Sequence, residues 1–115
     1  MMPKETPKRP KLYVAGPISG LPDLNRMTFR NCTKRLRDLG YLVVNPHEIC
    51  FDLNADLWTQ CMRRCISKLM ECDLIILLPG WQNSKGANME VNLARQLGMM
   101  AIEVEDFIKL DHNYD

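Results

Sequence analysis

The chain has 115 residues, of which 25% are charged and 46% hydrophobic, and its net charge at pH 7 is +1. These values are typical of one soluble globular domain and argue against nucleic acid as the main partner. No apolar run of about 18 residues is present, so we expect no transmembrane helix and no role in a membrane. The N-terminus has no apolar signal core, so we expect a cytoplasmic protein.

The first ten residues differ from the rest of the chain. Four basic residues, one acidic residue and three prolines lie between positions 1 and 11. Segments of this composition bury too little apolar surface to fold by themselves. We therefore predict a flexible basic arm over residues 1–10 and a single domain over residues 11–115, with nucleic-acid binding by the arm as the lesser alternative.

Short apolar segments alternate with helical patterns along the domain. Segments 12–15, 41–44, 74–78 and 99–104 are nearly continuous apolar runs, as expected for strands buried on both sides. Segments 25–39, 55–71 and 86–97 place apolar residues at helical spacing, and the first and third end at glycine. The order predicts an α/β domain with a parallel sheet, helices on both sides and right-handed crossovers. The tail from residue 105 has no clear pattern and could supply an edge strand.

The five cysteines are an odd number at irregular spacing. This usage is typical of reduced thiols in a cytosol. They form no paired CxxC pattern, and the chain has only two histidines. We expect no metal site and no cofactor.

The strand order 2-1-3-4 would bring two polar loops to one place. Ligands of open α/β sheets bind beyond the carboxyl ends of the strands, where the order reverses. Residues 16–20 and 79–85 leave the two strands at that reversal, and both contain Gly and Ser. Backbone amides, hydroxyls, the N-terminus of the next helix and Lys85 could together bind a phosphate. Alternatively, the glycines only make turns.

Glu90 falls on the helix side that should face the core, together with Ala87, Ala94 and Leu97. A buried carboxylate is costly unless it is paired or functional. The alternative is a favourable interaction with the helix dipole, worth ~0.3–1 kcal/mol. We interpret Glu90 as functional, and Asp73, at the opposite end of its strand, as structural.

Several motifs together resemble a known superfamily. They are residues 13–20, Asn45-Pro46, Met62-Arg63-Arg64, Cys72-Asp73, and residues 78–98 with Gly80, Trp81, Ser84, Gly86, Ala87, Glu90, Ala94 and Gly98. This pattern, over roughly residues 11–104, is similar to the nucleoside 2'-deoxyribosyltransferase-like superfamily. Within it, the chain most resembles a phage and bacterial family of domains of unknown function near the 2'-deoxynucleoside 5'-monophosphate N-hydrolases.

The resemblance implies a flavodoxin-like three-layer sandwich with four to five strands in the order 2-1-3-4. It implies that Glu90 is the nucleophile at the sugar anomeric carbon, with Tyr13 as its aromatic catalytic partner. Ser19 and Ser84 match the residues that hold the 5'-phosphate. The remaining substrate-binding positions are Gly16, Pro17, Ile18, Gly20, Cys65, Gly80, Trp81 and Gly86. It also implies a homo-oligomer, at least a dimer, located in the host cytoplasm if the chain is phage-encoded.

One position departs from the pattern. Related enzymes carry an Asp on the second helix, where this chain has Cys65. The group that protonates the leaving base is therefore open among His47, Asp52, Cys65 and water. The expected function is hydrolysis or transfer at the N-glycosidic bond of a 2'-deoxynucleoside 5'-monophosphate. The alternative is a protein that binds or sequesters a nucleotide without turnover.

Overall fold

The computed structural model describes residues 9–50 and 58–112. Its sheet consists of β1 (Leu12–Ala15), β2 (Val43–Val44), β3 (Leu74–Leu77) and β4 (Met100–Glu103). All pairs are parallel, and the order is β2-β1-β3-β4. The predicted class and order 2-1-3-4 are confirmed, and the architecture is consistent with a flavodoxin-like fold. Each strand lies within its predicted segment, but β2 covers only two of the four residues predicted for it.

Five α-helices lie around the sheet in the part of the chain that the structure describes. They are α1 (Arg26–Asp38), α2 (Pro46–Ile49), α3 (Trp58–Leu69), α4 (Lys85–Gln96) and α5 (Val104–His112). The sequence predicted α1, α3 and α4. The four-residue α2 is too short to show helical periodicity in its hydrophobic residues. It starts here because the Asn45 side chain accepts a hydrogen bond from the His47 amide and proline occupies the first helical position. The possible edge strand from the tail is wrong for the described residues, since the chain enters α5 directly after β4.

Alternation along β1 divides the core into two layers. Leu12 and Val14 pack with residues of α1 and α5, whereas Tyr13 and Ala15 pack with residues of α3 and α4. Because successive side chains of a strand point to opposite sides, one four-residue strand supplies both layers. Tyr13 therefore lies on the same side of the sheet as α4.

The ends of the domain are only partly described. Residues 1–8 of the predicted arm lie outside the described residues. Arg9 is ion-paired to Asp111 of α5 at 3.1 Å, and its guanidinium lies 5.0 Å from the centroid of the Tyr41 ring. Within residues 9–50 and 58–112, every helix is too short or too polar to cross a bilayer.

Gly16 allows the loop after β1 to pass close to the end of β3. A Cβ at this position would lie 2.8 Å from the Cβ of Leu78, which is closer than real Cβ contacts. The Leu78 amide donates to the Ala15 carbonyl at 2.9 Å, so the two strands separate just beyond this point. Steric contact with Leu78, rather than a positive φ, therefore requires glycine at position 16.

Candidate active site

A cavity of about 750 Å³ opens at the carboxyl ends of β1 and β3. Its volume lies within the range of small-molecule sites. Its walls come from the loop after β1, the start of α4, the inner side of α3 and the chain around α2. They comprise Gly16, Pro17, Ile18, Ser19, Gly20, Leu24, Pro46, Cys50, Trp58, Cys61, Met62, Cys65, Asn83, Ser84, Lys85, Gly86, Ala87 and Glu90. The structure thus brings together the two polar loops that the sequence placed at the reversal of strand order.

Glu90 projects from α4 into this cavity and is only 5% exposed. Burial raises the pKa of Glu90 to about 7, and the hydrogen bond from Tyr13 opposes that rise. The predicted inward side of α4 is confirmed for Ala87, Glu90 and Ala94. It is wrong for Leu97, which ends the helix and is 59% exposed.

Tyr13 lies behind Glu90. Its side chain is fully buried in β1, and its hydroxyl donates a hydrogen bond to Oε2 of Glu90. Burial, and then the Glu90 charge, raise the pKa of Tyr13 well above its usual range. The phenol therefore stays neutral and acts as a donor at neutral pH. Tyr13 does not line the cavity, so its effect on bound molecules is exerted through Glu90.

Ser84 caps the N-terminus of α4 at the cavity wall. Its Oγ accepts a hydrogen bond from the Ala87 amide at 3.2 Å. The hydroxyl proton remains available for a ligand. The amides of Lys85 and Gly86 precede the first α-helical hydrogen bond, so they too are available to an anion.

Gly86 lets α3 approach the start of α4. A Cβ there would lie 3.2 Å from the Met62 sulfur, tighter than most real contacts. On the same wall, Lys85 Nζ lies 4.7 Å from the centroid of the Trp58 ring. This cation–π contact keeps a positive charge beside the cavity.

A strained turn supports the opposite wall. Three consecutive non-glycine residues, Asp23, Leu24 and Asn25, have positive φ values of 49°, 53° and 59°. Such a backbone costs roughly 1–2 kcal/mol per residue. The Asn25 side chain donates to the Pro17 carbonyl at 2.9 Å, which ties the turn to the loop that carries Ser19. Asp23 and Asn25 are residue types that tolerate positive φ, whereas Leu24 is not, so the sequence is compatible with a turn here but does not indicate three such residues in a row.

Three thiols, those of Cys50, Cys61 and Cys65, form one wall. The Cys65 thiol interacts with the Tyr13 hydroxyl and with Cys50, and burial raises the pKa of both cysteines. They are therefore protonated and weakly nucleophilic at neutral pH. The spacing of Cys61 and Cys65, four residues apart on one helix, could have indicated their shared side, but only the tertiary fold brings Cys50 to them.

Some predicted residues lie elsewhere. Gly80 and Trp81 do not line the cavity; Trp81 is half-buried against the α3/α4 layer, with Arg95 5.7 Å above its ring. His47 packs edge-on against Phe29 and lines a different cleft. Asp52 lies outside the described residues.

Asp73 is at the start of β3, remote from the cavity. Its Oδ2 accepts the Lys11 amide at 2.7 Å. This hydrogen bond joins the beginnings of β1 and β3, which is the structural role expected of Asp73 at that edge of the sheet. Within the described part of the chain, no three His, Cys, Asp or Glu side chains are arranged to hold a metal ion.

Comparison with models of known protein families shows which family the chain belongs to. Residues 10–103 match the domain of unknown function DUF4406. The chain belongs to the DUF4406 family. In this DUF4406 protein the match runs from the residues before β1 to the end of β4, so it includes the loop with Ser19, the start of α4 and Glu90. No curated protein is similar to the chain.

Proposed function

We propose that this protein cleaves the N-glycosidic bond of a 2'-deoxynucleoside 5'-monophosphate, by hydrolysis or by transfer to another base. The proposal combines the resemblance to the nucleoside 2'-deoxyribosyltransferase-like superfamily with one observation above all. A nearly fully buried carboxylate, Glu90, borders a cavity whose polar wall is made of serine hydroxyls and helix N-terminal amides. Tyr13 offsets only part of the cost of burying this carboxylate, since the pKa of Glu90 is still raised to about 7, and a functional role would account for the remaining cost.

The reaction needs a carboxylate next to the sugar. A Glu90 oxygen bonds to the anomeric carbon as the carbon–nitrogen bond breaks, and the electron pair of that bond leaves with the base. The base takes a proton from a donor or from water. Water then displaces Glu90 from the sugar and releases 2-deoxyribose 5-phosphate, or a second base does so in transfer. Without a 2'-hydroxyl, the cation-like transition state is easier to reach.

Polar groups from two sides of the cavity support a phosphate-bearing substrate. Ser19 borders the cavity from the loop after β1, and Ser84 borders it from the start of α4, where the helix amides are also available. Helix N-termini favour anions through their free N–H groups and dipole. Lys85 adds a positive charge at the start of α4.

The thiol at position 65 motivates the second candidate function, nucleotide binding without turnover. A protonated thiol is a weak hydrogen-bond donor and a poor substitute for a carboxylate near the leaving base. Burial raises the pKa of Cys65, which disfavours the thiolate further. The same cavity would then hold a nucleotide and leave its glycosidic bond intact.

One experiment separates the two functions. Each of the common deoxynucleoside monophosphates is incubated with the protein, and free base is measured by chromatography while binding is measured by calorimetry. Base release supports the enzyme; binding without release by the wild-type protein supports sequestration. If no nucleotide binds, both functions are rejected.

A further inference from the structure

A second cleft, of about 720 Å³, lies on the other side of the chain around α2. It is formed by the outer side of α1 and the start of α2. Its lining comprises Arg26, Arg30, Thr33, Lys34, Arg37, Asp38, Asn45, His47 and Glu48. None of these residues borders the cavity that contains Glu90.

The second cleft is electropositive. Four of its side chains are basic and two are acidic. Both acidic residues are held by cations: Glu48 binds Arg37 at 2.6 Å, and Asp38 binds Lys34 at 2.7 Å. Arg30 adds a further exposed positive charge on the same helix. The lining therefore keeps a net positive charge.

Two polar side chains are buried at this cleft without partners. Thr33 is 3% exposed and His47 is 8% exposed. Thr33 Oγ1 and both ring nitrogens of His47 have no hydrogen-bond partner among the described residues. Unpaired buried polar groups are rare because they lose their hydrogen bonds to water. A ligand that accepts hydrogen bonds would satisfy them.

His47 is suited to donate in this position. Burial and the nearby Arg26 lower the pKa of His47. The Leu24 carbonyl and Asp23 oppose that change, although the Leu24 carbonyl lies outside hydrogen-bond geometry. The imidazole is therefore neutral at neutral pH and carries one N–H. The Thr33 hydroxyl supplies a second neutral donor.

We propose that the second cleft binds the phosphate chain of an oligophosphate, either free pyrophosphate or a nucleoside diphosphate. Arg30 provides an exposed charge on α1, and Arg26 and Lys34 add theirs on either side of it, from surface ion pairs with Asp23 (3.5 Å) and Asp38 (2.7 Å). Thr33 and His47 provide buried hydrogen bonds. From Arg26 to Lys34 the helix rises by roughly 12 Å. One phosphate group cannot contact cations over that length, whereas two or three linked phosphates can.

The two cavities lie on either side of the chain around residues 24–26 and 46–50, and different residues of these segments line each cavity. Leu24, Pro46 and Cys50 border the first cavity, while Arg26 and His47 border the second. An oligophosphate in the second cleft would therefore not contact residues 16–20, which line the first cavity and not the second cleft. This inference does not depend on the chemistry proposed for Glu90.

The test is a titration of the ¹⁵N-labelled full chain with pyrophosphate, followed by amide chemical shifts. Saturable shifts at residues 30–34 are expected, separate from any shifts at residues 16–20 and 84–87. Arg30→Gln should weaken binding at residues 30–34 about tenfold. The control, Arg64→Gln, removes another exposed arginine, from α3 across the sheet, and should have no effect. ADP and adenosine in separate titrations show whether a nucleoside adds affinity.

Thr33→Val gives an independent readout. Because the variant removes an unpaired buried hydroxyl, it should raise the melting temperature of the free protein and weaken pyrophosphate binding. Absence of saturable shifts at residues 30–34, equal weakening by Arg64→Gln, or unchanged affinity in Thr33→Val would overturn the proposal. Shifts confined to residues 16–20 and 84–87 would also overturn it, and would leave the proposed function of the first cavity intact.

Discussion

Tyr13 of β1 donates a hydrogen bond to Oε2 of Glu90 on α4, and both side chains are buried. The bond fixes one carboxylate oxygen and leaves Oε1 for chemistry in the cavity. It also favours the ionised form, against the burial that raises the pKa of Glu90 to about 7. The balance between burial and this one donor sets the charge of Glu90 near neutral pH.

Glu90→Gln should abolish base release while nucleotide affinity changes by less than about tenfold, roughly 1.4 kcal/mol. Glutamine keeps the shape of the side chain but cannot attack the anomeric carbon. The measurements are chromatography of free base and calorimetry. Glu71→Gln, at an exposed position beside Lys68, is the control and should retain full activity. Normal turnover by Glu90→Gln would remove this residue from the mechanism.

The pH dependence of kcat/KM should report the ionisation of Glu90. The nucleophile must be ionised, and its pKa is raised from 4.5 to about 7. Activity should therefore rise with pH through about 7 and level off above it. A plateau that extends unchanged down to pH 5 would contradict the assignment.

Tyr13→Phe should move that rise to higher pH. The phenol stabilises the carboxylate, and a hydrogen bond to a charged group is worth about 1.5–3 kcal/mol, or roughly one to two pKa units. Tyr41→Phe is a matched control, because Tyr41 donates to Asp111 in the other core layer. We expect the same pH profile as the wild type from the control. A shift in both variants, or in neither, would show that Tyr13 does not tune Glu90.

Glu90→Gln should also stabilise the fold, and more so at high pH. The pKa of Glu90 is higher in the folded than in the unfolded state, so the unfolded state binds fewer protons between pH 4.5 and about 7. The contribution of Glu90 to stability is therefore full below pH 4.5 and is lost as pH rises through about 7. Denaturant unfolding at pH 8 should show a gain of about 1–3 kcal/mol over the wild type, with a much smaller gain at pH 5. Equal gains at both pH values would argue against a raised pKa.

Substitutions at Ser84 should separate helix capping from phosphate binding. Ser84→Ala loses the cap on the Ala87 amide and should cost about 0.5–2 kcal/mol of stability. Ser84→Asp keeps an N-cap acceptor but repels a phosphate. It should therefore unfold like the wild type and lose the preference for a monophosphate over its nucleoside. Calorimetry with both ligands is the measurement, and an unchanged preference would exclude Ser84 from the phosphate site.

The protein should sediment as at least a dimer at micromolar concentration. The resemblance to the nucleoside 2'-deoxyribosyltransferase-like superfamily motivates this prediction. Met27 is 63% exposed, whereas Trp58, Met62 and Trp81 are half-buried. Large apolar groups near a rim are typical of interfaces. A sedimenting mass near 13.3 kDa, that of one chain, would contradict the prediction.

The sequence by itself predicted the sheet and most of its helices. Each strand is a short apolar run, and α1, α3 and α4 bury one side at helical spacing, so local patterns carry the information. The position of Glu90 on the inward side of α4 followed from the same periodicity. Alternation of strands and helices then left few topologies, of which 2-1-3-4 is the one observed.

Only the tertiary structure decided what surrounds Glu90. The resemblance named Tyr13 as a partner of Glu90, but the two are distant in sequence, and no pattern along β1 shows that the Tyr13 hydroxyl donates to this carboxylate. The same is true of Cys50 beside Cys65, and of Thr33 and His47, which line the same second cleft. Backbone periodicity is a local property, whereas burial, the raised pKa of Glu90 and unpaired polar groups depend on how distant segments pack together.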